Sequence, residues 1–416
     1  MRSALADPHR AEAGRPRWWV AGLSLFLVAV LAGAWWLQRE QPYVAPGDRT
    51  DGERSAPALA AEAVERLERA IEGGDTPAGA VLGADDAARA LLSAVVDNGV
   101  ALRLRDLDLR YVDEAAAGAD GSWQAAVEVR WRLAGLYRTA ARSEVTFGFR
   151  LHEGRVLVTS VGGGDGRTPL WFTGPLEVGR GPGTLVLAAG GESPDRYAAW
   201  ARRAVTVVRR VLPGWRGGLV VEVPADPGQL HEALAAAPGT YDGIAAVTTS
   251  VDGSLAPEAP VHVFVNPAVF GGLRPTGAQV VMSHEAVHVA TGAAQAVLPL
   301  WLAEGFADYV ALRDVDLPLR TTAGQIIEQV RRDGPPAALP GPAEFETTRS
   351  HLGATYEAAW QACVLLAERA GEQALVGLYR RVEGGEPLGR VLRDETGLTE
   401  ADLTRLWQER LRDLAG

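Results

Sequence analysis

Of only seven histidines in 416 residues, two stand four apart in the run His284-Glu285-Ala286-Val287-His288. Residues at that spacing share one face of a helix, so both imidazoles can reach a single ion. This is the H-E-x-x-H pattern: neutral imidazole nitrogens bind zinc, and the glutamate between them points beside the ion, where a carboxylate can take a proton from water. Zinc prefers four ligands, and a third from the protein is still needed. Glu304 supplies one, far enough after His288 for a loop and a return helix, within PLWLAEGFADYVAL (299–312). Asp308 lies one turn further along the same face, where it can accept the second ring N–H of a ligating histidine and fix its tautomer. Two solvated helix faces would be the plain alternative. The apolar company of Trp301, Leu302, Phe306, Tyr309 and Val310 argues against it.

These residues need two helices to position them. Thr276 and Gln279 fit a capping box at the start of the first, Gly292 suits its stop, and Pro299 suits the start of the second. Upstream, the pattern predicts a strand over Thr184–Ala188, a helix over Asp195–Val211, a strand over Leu219–Val223, a helix near Pro227–Ala236 and a strand over Val261–Val265. From Thr276 onward the chain reads as helical, including Gln373–Glu383 and a capped Thr399–Leu414. Residues 184–416 thus form one expected domain, preceded by a Gly- and Pro-rich connector over 165–183.

A smaller domain is expected over 56–164. It starts with a helix whose Leu59, Ala63, Val64, Leu67 and Ile71 share a face, then a second helix around Asp85–Val96. The period then changes to two. Trp123, Ala125, Val127, Val129, Trp131 and Leu133 alternate with mostly polar residues, as do Val145, Phe147, Phe149 and Leu151; a turn at His152-Glu153-Gly154 leads to a strand over Arg155–Val161. Helices followed by an antiparallel meander resemble the cystatin-like, or NTF2-like, α+β fold.

Trp18 to Leu37 carries no charge and has paired tryptophans at both ends, Trp18-Trp19 and Trp35-Trp36. At about 1.5 Å per residue such a run spans roughly 30 Å, a bilayer core. Arg2, Arg10, Arg15 and Arg17 precede it, and Arg39 beyond it is balanced by Glu40. The positive-inside rule then gives a cytoplasmic tail (1–17), a single-pass anchor (18–38), a polar linker (39–55) and extracytoplasmic domains in the cell membrane. Ala32-Gly33-Ala34 leaves a cleaved signal peptide as the alternative; either way the remainder is exported.

The 41 basic residues, all arginine, are outnumbered by 52 acidic ones, for a net charge of −11. That excludes the basic face of a nucleic-acid binder. The single cysteine, Cys363, excludes an intrachain disulfide and a multi-cysteine metal site, and reads as a small buried hydrophobe. No G-x-S-x-G elbow is present.

HEAVH and WLAEGFADY together resemble the gluzincin metallopeptidases, the peptidase MA-like superfamily of thermolysin and aminopeptidase N, over residues 276–312. The resemblance implies an α+β zinc peptidase domain with a helical C-terminus. It implies Zn2+ on His284, His288 and Glu304, Glu285 as general base, and a peptide or protein as substrate. It also implies that the edge strand before the zinc helix holds substrate extended, a position matched here by Val261–Val265. A downstream Tyr or His would steady the oxyanion: Tyr356 first, since it opens the amphipathic TYEAAWQACVLLAERA, then His351 and Tyr309. The amine-capturing G-x-M-E-N segment of the aminopeptidases is not present, and the spacer from His288 to Glu304 is shorter than in the best-known members. Exopeptidase and endopeptidase action both stay open. Two other readings remain: a zinc-dependent binding or sensor protein of the cell envelope without catalysis, and a membrane interaction protein without metal.

Overall fold

The computed structural model describes residues 56–114, 120–346 and 351–416. The tail, anchor and linker expected over 1–17, 18–38 and 39–55 lie outside the described residues; among the described residues no helix is long and apolar enough to cross a membrane. The described chain is a mixed α+β structure with two sheets.

Helix α1 (Pro57–Gly73) opens with proline in its first turn and buries Ala60, Ala63, Val64, Leu67, Ala70 and Ile71 along one stripe. A short α2 (Thr76–Ala80) and then α3 (Asp86–Leu102) follow, each begun by an aspartate, Asp75 and Asp85, whose carboxylate accepts a backbone N–H of the first turn. Strands β1 (Leu104–Glu114), β2 (Ser122–Leu133), β3 (Ala141–His152) and β4 (Arg155–Val161) form an antiparallel meander in that order. Trp123 stands opposite Phe149 and Val127 opposite Val145. Glu153 and Gly154, with φ of 49° and 73°, make the two-residue turn between β3 and β4, where positive φ suits the twist of the hairpin.

The segment 165–183 is built into the structure. Leu170–Phe172 forms a single 3₁₀ turn whose three side chains are buried. The buried Asn98 amide pins it, donating to the carbonyls of Trp171 (2.9 Å) and Gly174 (2.8 Å) and accepting from Leu176 N–H. Strand β5 (Glu177–Gly181) then pairs antiparallel with β6 (Thr184–Ala188).

The second sheet continues through α4 (Pro194–Val211), β7 (Leu219–Val223), α5 (Pro227–Leu234), β8 (Ala246–Ser250) and β9 (Val261–Val265), with strand order β5-β6-β7-β9-β8. β6, β7 and β9 run parallel, while β8 is antiparallel to β9. This corrects one expectation: Val261–Val265 is paired on both sides, and the edge beside the zinc-motif helix is β8.

Strands covered on both faces read as near-continuous apolar runs, as TLVLA and LVVEV do. Val186, Ala188, Val221, Val223, Val263 and Val265 join a core under the C-terminal helices. Leu185, Leu187, Val220 and Phe264, on the alternate positions, join a second core with α1, α3, the meander and the 3₁₀ turn. Two buried polar residues on that face, Glu222 and His262, are 3% and 2% exposed and pair with each other; the other His262 nitrogen is bonded to the Tyr137 hydroxyl from the β2–β3 connection.

Beyond the sheet come a short α6 (Pro267–Phe270), α7 (Pro275–Thr291), α8 (Leu300–Leu312), a short α9 (Leu319–Thr322) and α10 (Gly324–Asp333). The last four are α11 (Leu352–Ala370), α12 (Glu372–Glu383), α13 (Leu388–Thr396) and α14 (Glu400–Ala415). α14 starts with a reciprocal cap between Thr399 and Asp402, and its fully buried Trp407 donates from the indole N–H to Ala358 O in α11 at 2.8 Å.

Candidate metal centre

The start of α7 differs from the expected capping box. The helix begins at Pro275, which needs no N–H partner there, and Arg274 at the cap makes no side-chain cap bond. Gln279 instead donates to Trp200 O and Ser283 Oγ, tying α7 to α4. The stop is as expected: Gly292 takes the left-handed conformation at φ 65°.

One face of α7 presents His284 and His288, with ring centroids 4.7 Å apart. Helix α8 returns alongside and presents Glu304 and Asp308. His284 Nε2 lies 3.0 Å from His288 Nε2 and 3.1 Å from Glu304 Oε2, and His288 Nε2 lies 3.3 Å from the same oxygen. These three side chains are the group of His, Cys, Asp and Glu among the described residues whose donor atoms converge closely enough to hold a metal. Their separations match the edge, about 3.3 Å, of a tetrahedron built with bonds of 2.0–2.1 Å. Donor atoms this close need a shared proton or a cation between them, and two imidazoles with one carboxylate are a set that fits a divalent cation such as zinc.

Asp308 Oδ1 accepts from His284 Nδ1–H at 2.8 Å, so in the neutral imidazole Nε2 is the nitrogen whose lone pair faces the cluster. His288 Nδ1 is buried without a hydrogen-bond partner among the described residues. Burial opposes charge on both His284 and Glu304, yet the neighbours win. Asp308 and Glu304 raise the His284 pKa well above the ordinary histidine range, and the two imidazoles hold the Glu304 carboxyl well below the usual carboxylate range.

Glu285 is 8% exposed, and burial pushes its pKa up against the pull of His284, His288 and a hydrogen bond from Thr248. Thr248 Oγ1 donates to Glu285 Oε2 at 2.6 Å and also lies 3.2 Å from the Glu285 carbonyl oxygen. Tyr356, in the first turns of α11, has its ring 6.2 Å from that of His284 and is held edge-to-face by Phe345 at 5.2 Å. Burial, and then the carboxylates of Glu304, Glu285 and Asp308, raise its pKa far above the ordinary value, so the phenol keeps its proton and remains a donor.

The other two oxyanion candidates are placed elsewhere. Tyr309 donates to Glu372 at 3.0 Å, beside Arg313 on the same carboxylate; burial and that carboxylate push its pKa to about 12. His351 is the exposed residue preceding α11. Three contributors had not been singled out in the sequence: Thr248, Phe345 and Gly305. A Cβ on Gly305 would sit 2.4 Å from Ala359 O and 3.0 Å from Cys363 Sγ, so the glycine lets α11 approach α8 closely enough to bring Tyr356 beside His284. Cys363 itself is fully buried. Searches against protein-family models and curated proteins return no match for this chain.

Proposed function

We propose that the chain is a zinc metallopeptidase of the gluzincin type, with its catalytic residues in 184–416. We further propose that the α-helices and meander of 56–164 form a cystatin- or NTF2-like domain, and that residues 18–38 anchor both domains on the extracytoplasmic side of a membrane. The observation that carries the reading is the convergence of His284 Nε2, His288 Nε2 and Glu304 Oε2 with the buried Glu285 carboxylate alongside. Structural zinc sites are closed by four protein ligands, whereas catalytic ones keep a position open. The cluster among the described residues has three. That supports hydrolysis over a zinc-dependent binding or sensor role.

Zinc bound by these residues would act as a Lewis acid toward a peptide carbonyl and make a water acidic enough to ionise near neutral pH. Glu285 takes the proton of the attacking water and delivers it to the leaving amine. Asp308 keeps His284 in the tautomer whose Nε2 is free to bind. The Tyr356 hydroxyl donates to the oxygen on which negative charge develops. The free edge of β8, beside the base, offers main-chain hydrogen bonds to an extended peptide.

The test is zinc content and cleavage of a peptide library by the purified protein and by Glu285→Gln. About one zinc in both, with kcat of the variant lower by about 10²–10⁴-fold, is the expected result. Zinc in both and cleavage in neither would move the non-catalytic envelope role ahead. Absence of zinc from both would remove the metal site.

A further inference from the structure

The geometry points to Thr248 as the residue that orients the general base: its hydroxyl holds one carboxylate oxygen of Glu285 and leaves the other free to take the proton of the attacking water. This rests on the peptidase reading above and adds to it a residue that neither zinc-motif helix supplies. Glu285 is attached to α7 by a flexible side chain, and nothing in the H-E-x-x-H spacing fixes where its two oxygens point. A carboxylate next to a ligating histidine has two wrong options. It can rotate away from the water, or it can swing toward the cation as a further ligand and block the open position.

Thr248 removes this freedom. It lies in the middle of the edge strand β8, opposite Val263 of β9. Ala246, two positions earlier, contributes to the core beneath the helices, so by the period of two the Thr248 side chain also faces α7. Oγ1 sits 2.6 Å from Oε2 of Glu285. A hydroxyl donating to a carboxylate at that distance makes a strong, charge-assisted bond. A β-branched side chain in a strand is stiff about χ1, so the donor has little room to move. Among the described residues none hydrogen-bonds Oε1 of Glu285, which is the oxygen left for chemistry. The same strand whose free edge is offered to substrate thus carries, on its inner face, the group that aims the base.

The experiment uses the full chain with Thr248→Val, which keeps the shape and removes the hydroxyl, and Thr248→Ser, which keeps the hydroxyl. Both are also placed in the Glu285→Gln background. Zinc content, kcat and KM are measured for each. The expected result is that Thr248→Val keeps zinc and KM but lowers kcat about 10- to 100-fold. Thr248→Ser should return to within a few-fold of wild type. Thr248→Val should add no further loss on top of Glu285→Gln, because a residue acting only through the base has nothing left to act on. An unchanged kcat in Thr248→Val, a loss confined to KM, or an equal loss in both backgrounds would overturn the assignment while leaving the peptidase reading in place. A zinc-loaded wild-type protein that cleaves nothing would overturn the reading itself and the inference with it.

Discussion

Two residues at the cluster can be varied without touching a ligand. Asp308 touches the cluster through His284 Nδ1, so if zinc binds there Asp308→Ala should leave three donors in place but weaken that binding about 10- to 100-fold, measured by competition with a chelator. Tyr356→Phe removes a single hydroxyl whose proton is kept in place by burial and then by the surrounding carboxylates. If that hydroxyl serves the oxyanion, kcat should fall about 10²–10³-fold with zinc content unchanged. A kcat within a few-fold of wild type would reduce Tyr356 to a packing partner of Phe345 and His284. The ligand candidates were legible in the sequence because an ion imposes a spacing on a helix, and His284/His288 and Glu304/Asp308 both show it. Thr248 was not, because the constraint on it runs between two elements far apart in the chain. A threonine in AVTTS looks the same whether its hydroxyl faces water or a buried carboxylate.

At the scale of elements, the close approach of α8 and α11 is set by Gly305. Gly305→Ala would push a methyl group against Ala359 O and Cys363 Sγ. Overpacking of this kind costs about 1–3 kcal/mol, to be read from the denaturant midpoint, and a shift of α11 would carry Tyr356 with it. A drop in kcat with intact zinc binding is therefore expected alongside the loss of stability. The strands that sequence reading missed share a cause. β1 carries Arg105, Asp106, Asp108 and Arg110, takes positive φ at Asp106 and has two register shifts, so its alternation of Leu107, Leu109 and Tyr111 is broken up. β5 holds two glycines in five residues, and β8 is short with a polar centre. All three are edge strands, where only one neighbour disciplines the pattern. The buried strands β6, β7 and β9 were legible at their true bounds because both faces demand apolar residues.

At the scale of the molecule, the second sheet belongs to two cores at once, and the division into a domain before 165 and one after 183 hides this. Glu222 and His262 lie on the face turned toward the meander and share it with Tyr137. Removing one member of such a buried pair strands the other. His262→Ala should therefore destabilise the whole described chain by about 3–5 kcal/mol, and replacing both Glu222 and His262 by leucine should cost less than His262→Ala alone. Zinc should act in the opposite direction: a ligand at 100 times its Kd stabilises by about 2.7 kcal/mol, so a chelator should lower the melting temperature if the cluster binds metal. No pattern in the sequence could announce the shared core, since burial of Leu185 or Phe264 is evident there but not the surface that covers it. The seat of α11 on α14, through Trp407 and Ala358, has a consequence for the order in which the protein comes into being. Synthesis proceeds from the N-terminus and units fold as they emerge. The cluster residues His284, His288 and Glu304 are made more than a hundred positions before Trp407, while the helix carrying Tyr356 gains its final support only when that tryptophan arrives. On the peptidase reading, a nascent chain loads its metal early yet stays harmless until the helix carrying Trp407 has folded back.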